Sequence, residues 1–369
     1  MKKLLALVIA AALCAGLCGC ASTVSVSGAQ IDADGHLIPS ISDGSEPDAG
    51  LPGEKGENGE QGYDGGSGTR VTSAEDIKKA IEQTAEGGTA EISLANDLIL
   101  SEPLKITADT VIHGNGYKVK LDSDIKNPIF NGGKNNLTLD NMTLDGQNNR
   151  VYDYFGAING GEGSSLTLSN VTIENVEAER IIRAVSVQSV NLTNVTIRNN
   201  KTSNSKDGAY GLLFTNVENM RLKNVSITDN NIGKSLILIW GDNELNALTA
   251  ESLTIENNTI GEHILATSGT NCSDTITLTS GSIKGNNTAG IYMVGNLTIG
   301  KDMNVQCGIT LNNDSAKGVC TLTNNGTIAG DITSANWAVQ QRGLPNYTGT
   351  GTHTGNKTNI TDLTAPAQP

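Results

Sequence analysis

LTLDNMTLDG (137–146), LTLSNVTIEN (166–175), NLTNVTIRNN (191–200) and RLKNVSITDN (221–230) are copies of one pattern. Weaker copies are ITADTVIHGN (106–115), TAESLTIENN (249–258), LTSGSIKGNN (278–287), IGKDMNVQCG (299–308) and LTNNGTIAGD (322–331). Taking the residue after the small polar one as marker gives Thr110, Met142, Val171, Val195, Val225, Leu253, Gly281, Met303 and Gly326. The steps between them are 32, 29, 24, 30, 28, 28, 22 and 23 residues, a repeat of the length used by solenoids.

Three columns around the marker set the geometry. The residue before it is Asn, Asp or Ser in every copy, from Asp109 and Asn141 through Asn170, Asn194 and Asn224 to Asn325. The residue two after it is always aliphatic: Ile112, Leu144, Ile173, Ile197, Ile227, Ile255, Ile283, Val305 and Ile328. Four after it stands Gly, Asn or Asp in all copies but that of Cys307, residues that accept left-handed backbone or a turn. Alternation in LTL and VTI sends aliphatics to one face and Thr to the other. A short apolar run precedes most units: AIN (157–159), AVSV (184–187), LLFT (212–215), LILIW (236–240), ILAT (264–267) and IYMV (291–294). Three strands and three turns per copy make one coil. Coils stacked in parallel about 4.8 Å apart place like residues over like, so each column is all aliphatic or all polar.

The expectation is an all-β parallel β-helix of three sheets and about nine to ten coils over 71–335. Before the first coil, VTSAEDIKKAIEQTAEGG (71–88) predicts a short helix. Ser73 can cap it, Asp76 stands three residues on, and Gly87-Gly88 stops it. A leucine-rich repeat has similar periods, but its L-x-x-L-x-L frame is missing. The polar column and the N-terminal helix resemble the right-handed parallel β-helix of the pectin-lyase-like superfamily, whose Asn ladder and amphipathic cap they match. The resemblance spans roughly 71–335 and implies a right-handed solenoid. Within that superfamily the chain looks like the pectate-lyase-like adhesive domains of bacterial surface proteins.

Outside the repeat the chain reads differently. Lys2 and Lys3 precede the apolar stretch LLALVIAAALCAG, which ends in Leu17-Cys18-Gly19-Cys20. This resembles a bacterial lipobox. Residues 1–19 are then a leader, and Cys20 is the lipidated first residue, palmitoylated at the extracytoplasmic face of a membrane, an outer membrane in a Gram-negative cell. Each buried acyl methylene contributes about 0.8 kcal/mol to such an anchor. Residues 20–70 read as a Ser/Gly-rich spacer with a collagen-like run of glycines at 53, 56, 59, 62 and 65. Beyond Ile332 the columns fade, and 336–369 reads as a cap with Trp337 and Val339, followed by a disordered tail.

Composition narrows function. The chain has 25 Lys and Arg against 39 Asp and Glu, a net charge of −14, and loss of Lys2 and Lys3 with the leader takes it to −16. Such a chain repels phosphate backbones, which argues against a nucleic-acid partner. Three cysteines remain beyond Cys20, namely Cys272, Cys307 and Cys320; an odd count excludes complete pairing. They read as small buried hydrophobes, and a Cys307–Cys320 bridge stays open. The many N-x-[ST] sequons follow from the repeat composition.

The resemblance implies that a catalytic member would carry its acids, bases or calcium ligands on the first sheet or its loops. The six apolar runs contain no Asp, Glu, Lys, Arg or His. His113 falls at a turn position rather than that of a base. One charged stripe survives: Glu179, Arg180 and Arg183 before the strand at 184, Asp207 before the strand at 212, and Glu262 and His263 before the strand at 264. Arg183 or His263 could abstract a proton while the acids hold a cation such as calcium. A solvated loop edge is the plainer reading of the same residues. Aromatics give a second signal. Trp240, Tyr292 and Phe214 lie on first-sheet runs, with Tyr154, Tyr152, Phe155 and Tyr210 on turns beside them. Outward rings would stack on sugar faces; inward rings would be core. Alternation sends Tyr292 outward and leaves Trp240 and Phe214 open. Two functions follow: a membrane-anchored surface adhesin that binds a glycan or matrix component without catalysis, or a lyase or hydrolase of acidic polysaccharides.

Overall fold

The computed structural model describes residues 26–31, 37–41 and 68–364, except 153, 155, 204–207, 242–245, 270–273, 286–288, 314–317 and 336–342. The chain divides into two units, Met1–Asp64 and Gly65–Pro369. In the first, Val26–Ile31 pairs antiparallel with Leu37–Ile41, with an irregularity between Val26 and Gly28. The sequence led us to expect only an extended spacer there. Cys20 and the collagen-like run lie outside the described residues.

The second unit is a parallel β-solenoid. Its first strand, Thr69–Val71, leads into α1 (Ala74–Glu82). The predicted cap is present: Asp76 N donates to Ser73 Oγ (3.2 Å), and Ser73 N donates to Asp76 Oδ2 (3.1 Å). Ile77 and Ile81 turn inward and close the end of the core.

Each full coil contributes a strand to an eleven-stranded parallel sheet that runs from Leu104–Lys105 to Lys357–Thr358. The chain then turns into a long strand such as Ser165–Glu174, Ser189–Arg198 or Asn219–Thr228. Each of these bends at its middle into two walls. The bend is the polar residue before the marker: Asn141, Asn170, Asn194, Asn224 and Ser252 have φ between 49° and 55°. Asn is among the few side chains that accept this left-handed backbone. Ile173, Ile197, Ile227, Ile255, Ile283, Val305 and Ile328 pair residue for residue along the second half, as expected. All are buried in one continuous core.

Two expectations need correction. The copy at 106–115 is out of phase: Ile112 pairs with Leu139, and Val119 takes the place below Leu144. A turn through Asn115 (φ 51°) and Gly116 (φ 80°) divides in two what later coils build as one bent strand. Second, the solenoid does not stop at 335. Asn346–Thr348 pairs with Thr321–Thr323, and Thr352–Thr354 with Thr327–Ala329. Lys357–Thr358 and Thr361–Asp362 carry the path further. Tyr347 replaces an aliphatic in the Leu322 column and is 2% exposed, so this Thr- and Asn-rich segment still buries its anchor. Cys307 and Cys320, whose bridge the sequence left open, are both buried and unpaired. Burial pushes the Cys307 thiol up to about 12, which fits the reading of these residues as packing groups. Cys272 lies outside the described residues.

Candidate functional site on the outer face of the first sheet

The eleven-stranded sheet presents its inward residues, including Ile182, Leu212, Phe214, Ile239 and Ile291, to the core. Phe214 is therefore packing. The outward column between them runs Asn159, Arg183, Leu213, Leu238, Ala266, Tyr292 and Thr310 in direct register. Arg180–Val185 and His263–Ser268 are strands. Arg180, Arg183 and His263 thus stand on the sheet itself, not before it, and the first sheet is not free of charge as the apolar runs suggested.

The charged stripe does not assemble into one site. Arg180 is fully buried beside Glu179 (3.3 Å), with the Tyr154 ring 4.0 Å from its guanidinium carbon. Arg183 Nη1 donates to Asn159 Oδ1 (2.9 Å) and lies 5.5 Å from the same ring. His263 stacks on Tyr292 with centroids 5.2 Å apart. Burial holds its imidazole below the usual histidine range, with the Glu262 charge opposing, so it is neutral at neutral pH. Three coils separate the Arg180 strand from the His263 strand, about 14 Å along the axis. Glu179 and Glu262 are equally far apart, and Asp207 lies outside the described residues. Among the described residues no three His, Cys, Asp or Glu side chains are grouped to hold a metal ion.

What the sheet does bring together is apolar. Leu213, Leu238 and Ala266 form a cluster separate from the core, on the outer face, with Tyr210 and Tyr292 packed against it. They are 5%, 8% and 4% exposed although they point away from the core. Tyr292 points outward as alternation predicts, and its hydroxyl accepts a hydrogen bond from Asn312 Nδ2 (2.6 Å). Trp240 stands in the next column between Thr215 and Ser268 and is 45% exposed. Tyr152 and Tyr154 are also exposed. The sequence signal for this saddle was available: LLF and LILI are aliphatic at both parities, so one side chain in two must face outward.

A further feature escaped the repeat reading. Besides the exposed ladder Asn170–Asn194–Asn224 (2.8 and 2.9 Å) there is a buried one, Asn200–Asn230–Asn258 (3.0 and 2.9 Å). Asn200, Asn230 and Asn258 also donate to the carbonyls of Ile173, Ile197 and Ile227. The signal was the Asn that ends RNN (198–200), TDN (228–230) and ENN (256–258).

No family model and no curated protein matches the chain. Two solved structures are similar to it. One, the SRRP of L. reuteri 100-23, is 15% identical with a TM-score of 0.44, covering 80% of this chain and 98% of that one. The other, the SRRP of L. reuteri 53608, is 14% identical with a TM-score of 0.30, covering 80% and 99%.

Proposed function

We propose that this chain is a non-catalytic binding module of the cell surface, lipid-anchored through Cys20, that docks a glycan or matrix component on the outer face of its eleven-stranded sheet. The observation that carries this reading is the exposed Trp240 ring on the outer face of the eleven-stranded sheet, beside Tyr292, which packs on the closed apolar cluster of Leu213, Leu238 and Ala266. An aromatic ring left exposed on the outer face of a strand can exclude water from a partner. Degradation of an acidic polysaccharide asks for more. A base must come within hydrogen-bond reach of the sugar, and a donor must stabilise the developing anion at the same carbon. Arg183 and His263 stand about 14 Å apart along the axis, too far to serve one bond.

The test is a glycan and extracellular-matrix array run beside an ultraviolet assay for unsaturated sugar products. Binding without product is expected, and Cys20→Ser should move the chain from the membrane fraction to the soluble one. Release of unsaturated products that Arg183→Ala abolishes would overturn the adhesive reading.

A further inference from the structure

The binding face differs from the rest of the molecule in charge. Six consecutive strands, Tyr210–Thr215, Ile237–Trp240, His263–Ser268, Gly290–Met293, Ile309–Leu311 and Ile332–Ser334, contain no Asp, Glu, Lys or Arg. The one imidazole among them, His263, is held neutral by burial. The long strands of the same coils carry Arg221, Lys223, Glu251, Glu256 and Lys284. These six strands are therefore free of the charges that the long strands carry, on a chain whose net charge is −14, and Arg180 and Arg183 stand only on the strand before them.

Resting on the reading of this face as a glycan-binding wall, we infer that its ligand is an uncharged sugar chain, laid obliquely across the strands over Trp240 and Tyr292. A polyanion brought to this strip meets the repulsion of an acidic molecule. Across these six strands it finds no cation, and the Arg183 guanidinium on the strand before them is already engaged by Asn159, so a carboxylate's desolvation goes uncompensated. A neutral pyranose meets neither obstacle. Its C–H face suits the exposed Trp240 ring. Its hydroxyls can exchange hydrogen bonds with neutral groups that flank the rings, Thr215, Ser268 and Thr310, which can both donate and accept. Trp240 and Tyr292 stand two coils and one outward column apart, about 10 Å along the axis and about 7 Å across it, within reach of two or three linked sugars. The Asn312 bond and the His263 stack fix the Tyr292 ring in place before any ligand arrives, which lowers the ordering cost of binding.

Neutral cello-, xylo-, manno- and chito-oligosaccharides are to be titrated calorimetrically against the whole chain, with polygalacturonate and hyaluronan as anionic probes, each at low and high salt. At least one neutral series should bind with an affinity that salt leaves unchanged. Trp240→Ala should weaken it about tenfold, Trp240→Phe much less, and neither exposed-site change should alter the circular dichroism spectrum. Binding confined to the anionic probes and lost at high salt would overturn the neutral-ligand inference and leave a glycan-binding wall standing. Failure of every sugar, neutral and anionic, alongside capture of a matrix protein would overturn both.

Discussion

Asp274 is the residue at which the solenoid is least comfortable. It is fully buried at the turn that leaves the eleven-stranded sheet. Its Oδ1 accepts from Asn246 Nδ2 (2.8 Å), while its other oxygen has no hydrogen-bond partner among the described residues. Burial raises its carboxyl to about 6. The unfolded chain, with an ordinary Asp, surrenders this proton near pH 4, before the folded chain does. Folded protein then binds more protons than unfolded, and stability falls as pH rises between about 4 and about 6. The contribution, on the order of 3 kcal/mol, is present below that window and lost above it. Asp274→Asn should flatten this slope and melt at a higher temperature than the native chain at pH 7. Thermal melts across that window check it; parallel profiles for the two proteins would remove Asp274 from the account.

Within a coil, the two Asn ladders look alike in sequence and do different work. Asn194 is exposed and sits at φ 54°. There the backbone is the demand, since Ala in left-handed conformation costs about 1 kcal/mol more than Gly. Asn194→Gly should therefore be more stable than Asn194→Ala by about that amount, the reverse of the usual order. Asn230 is buried with an ordinary φ, and its amide serves Asn200, Asn258 and the Ile197 carbonyl. Either replacement there should cost on the order of 3 kcal/mol by leaving buried donors and acceptors unpaired. Urea denaturation of the four variants separates the two roles. This contrast also shows where the sequence was legible. The corner column and the Ile173–Ile283 column were plain because stacking forces one residue type at each position. Asn200, Asn230 and Asn258 were hidden because each follows another turn former, Asn199, Asp229 or Asn257, and the pair reads as one turn signal. Arg183 and His263 were placed one element too early because a strand that admits a charge loses the apolar run that marks it. The outward saddle was hidden for the opposite reason: continuous aliphatics conceal which parity faces water.

At the scale of the molecule, the solenoid must close both ends of one long core. α1 does this at the start with Ile77 and Ile81. At the other end the work falls to 344–364, where Tyr347 covers the Leu322 column, Lys357 Nζ lies 3.7 Å from the Tyr347 ring, and the same Nζ meets Asp362 at 2.6 Å. A disordered tail could be removed at no cost. Deleting 344–369 should instead lower the melting temperature and raise binding of a hydrophobic dye, because Leu322, Ile328 and Ile332 are each fully buried and uncovering one such side chain costs about 2 kcal/mol. An unchanged melt would return the segment to the status of a tail.

The left-handed corners have one more consequence. Coils differ in length by several residues, yet each advances the chain by the same single strand spacing, since the surplus goes sideways into turns. Height is thus counted in coils and not in residues. Ten spacings in the eleven-stranded sheet give a ruler of about 48 Å, graduated every 4.8 Å. Insertions within a turn can reshape the rim of the eleven-stranded sheet indefinitely without moving Trp240 up or down that ruler. Only the gain or loss of an entire coil can do so, and then only by a whole graduation.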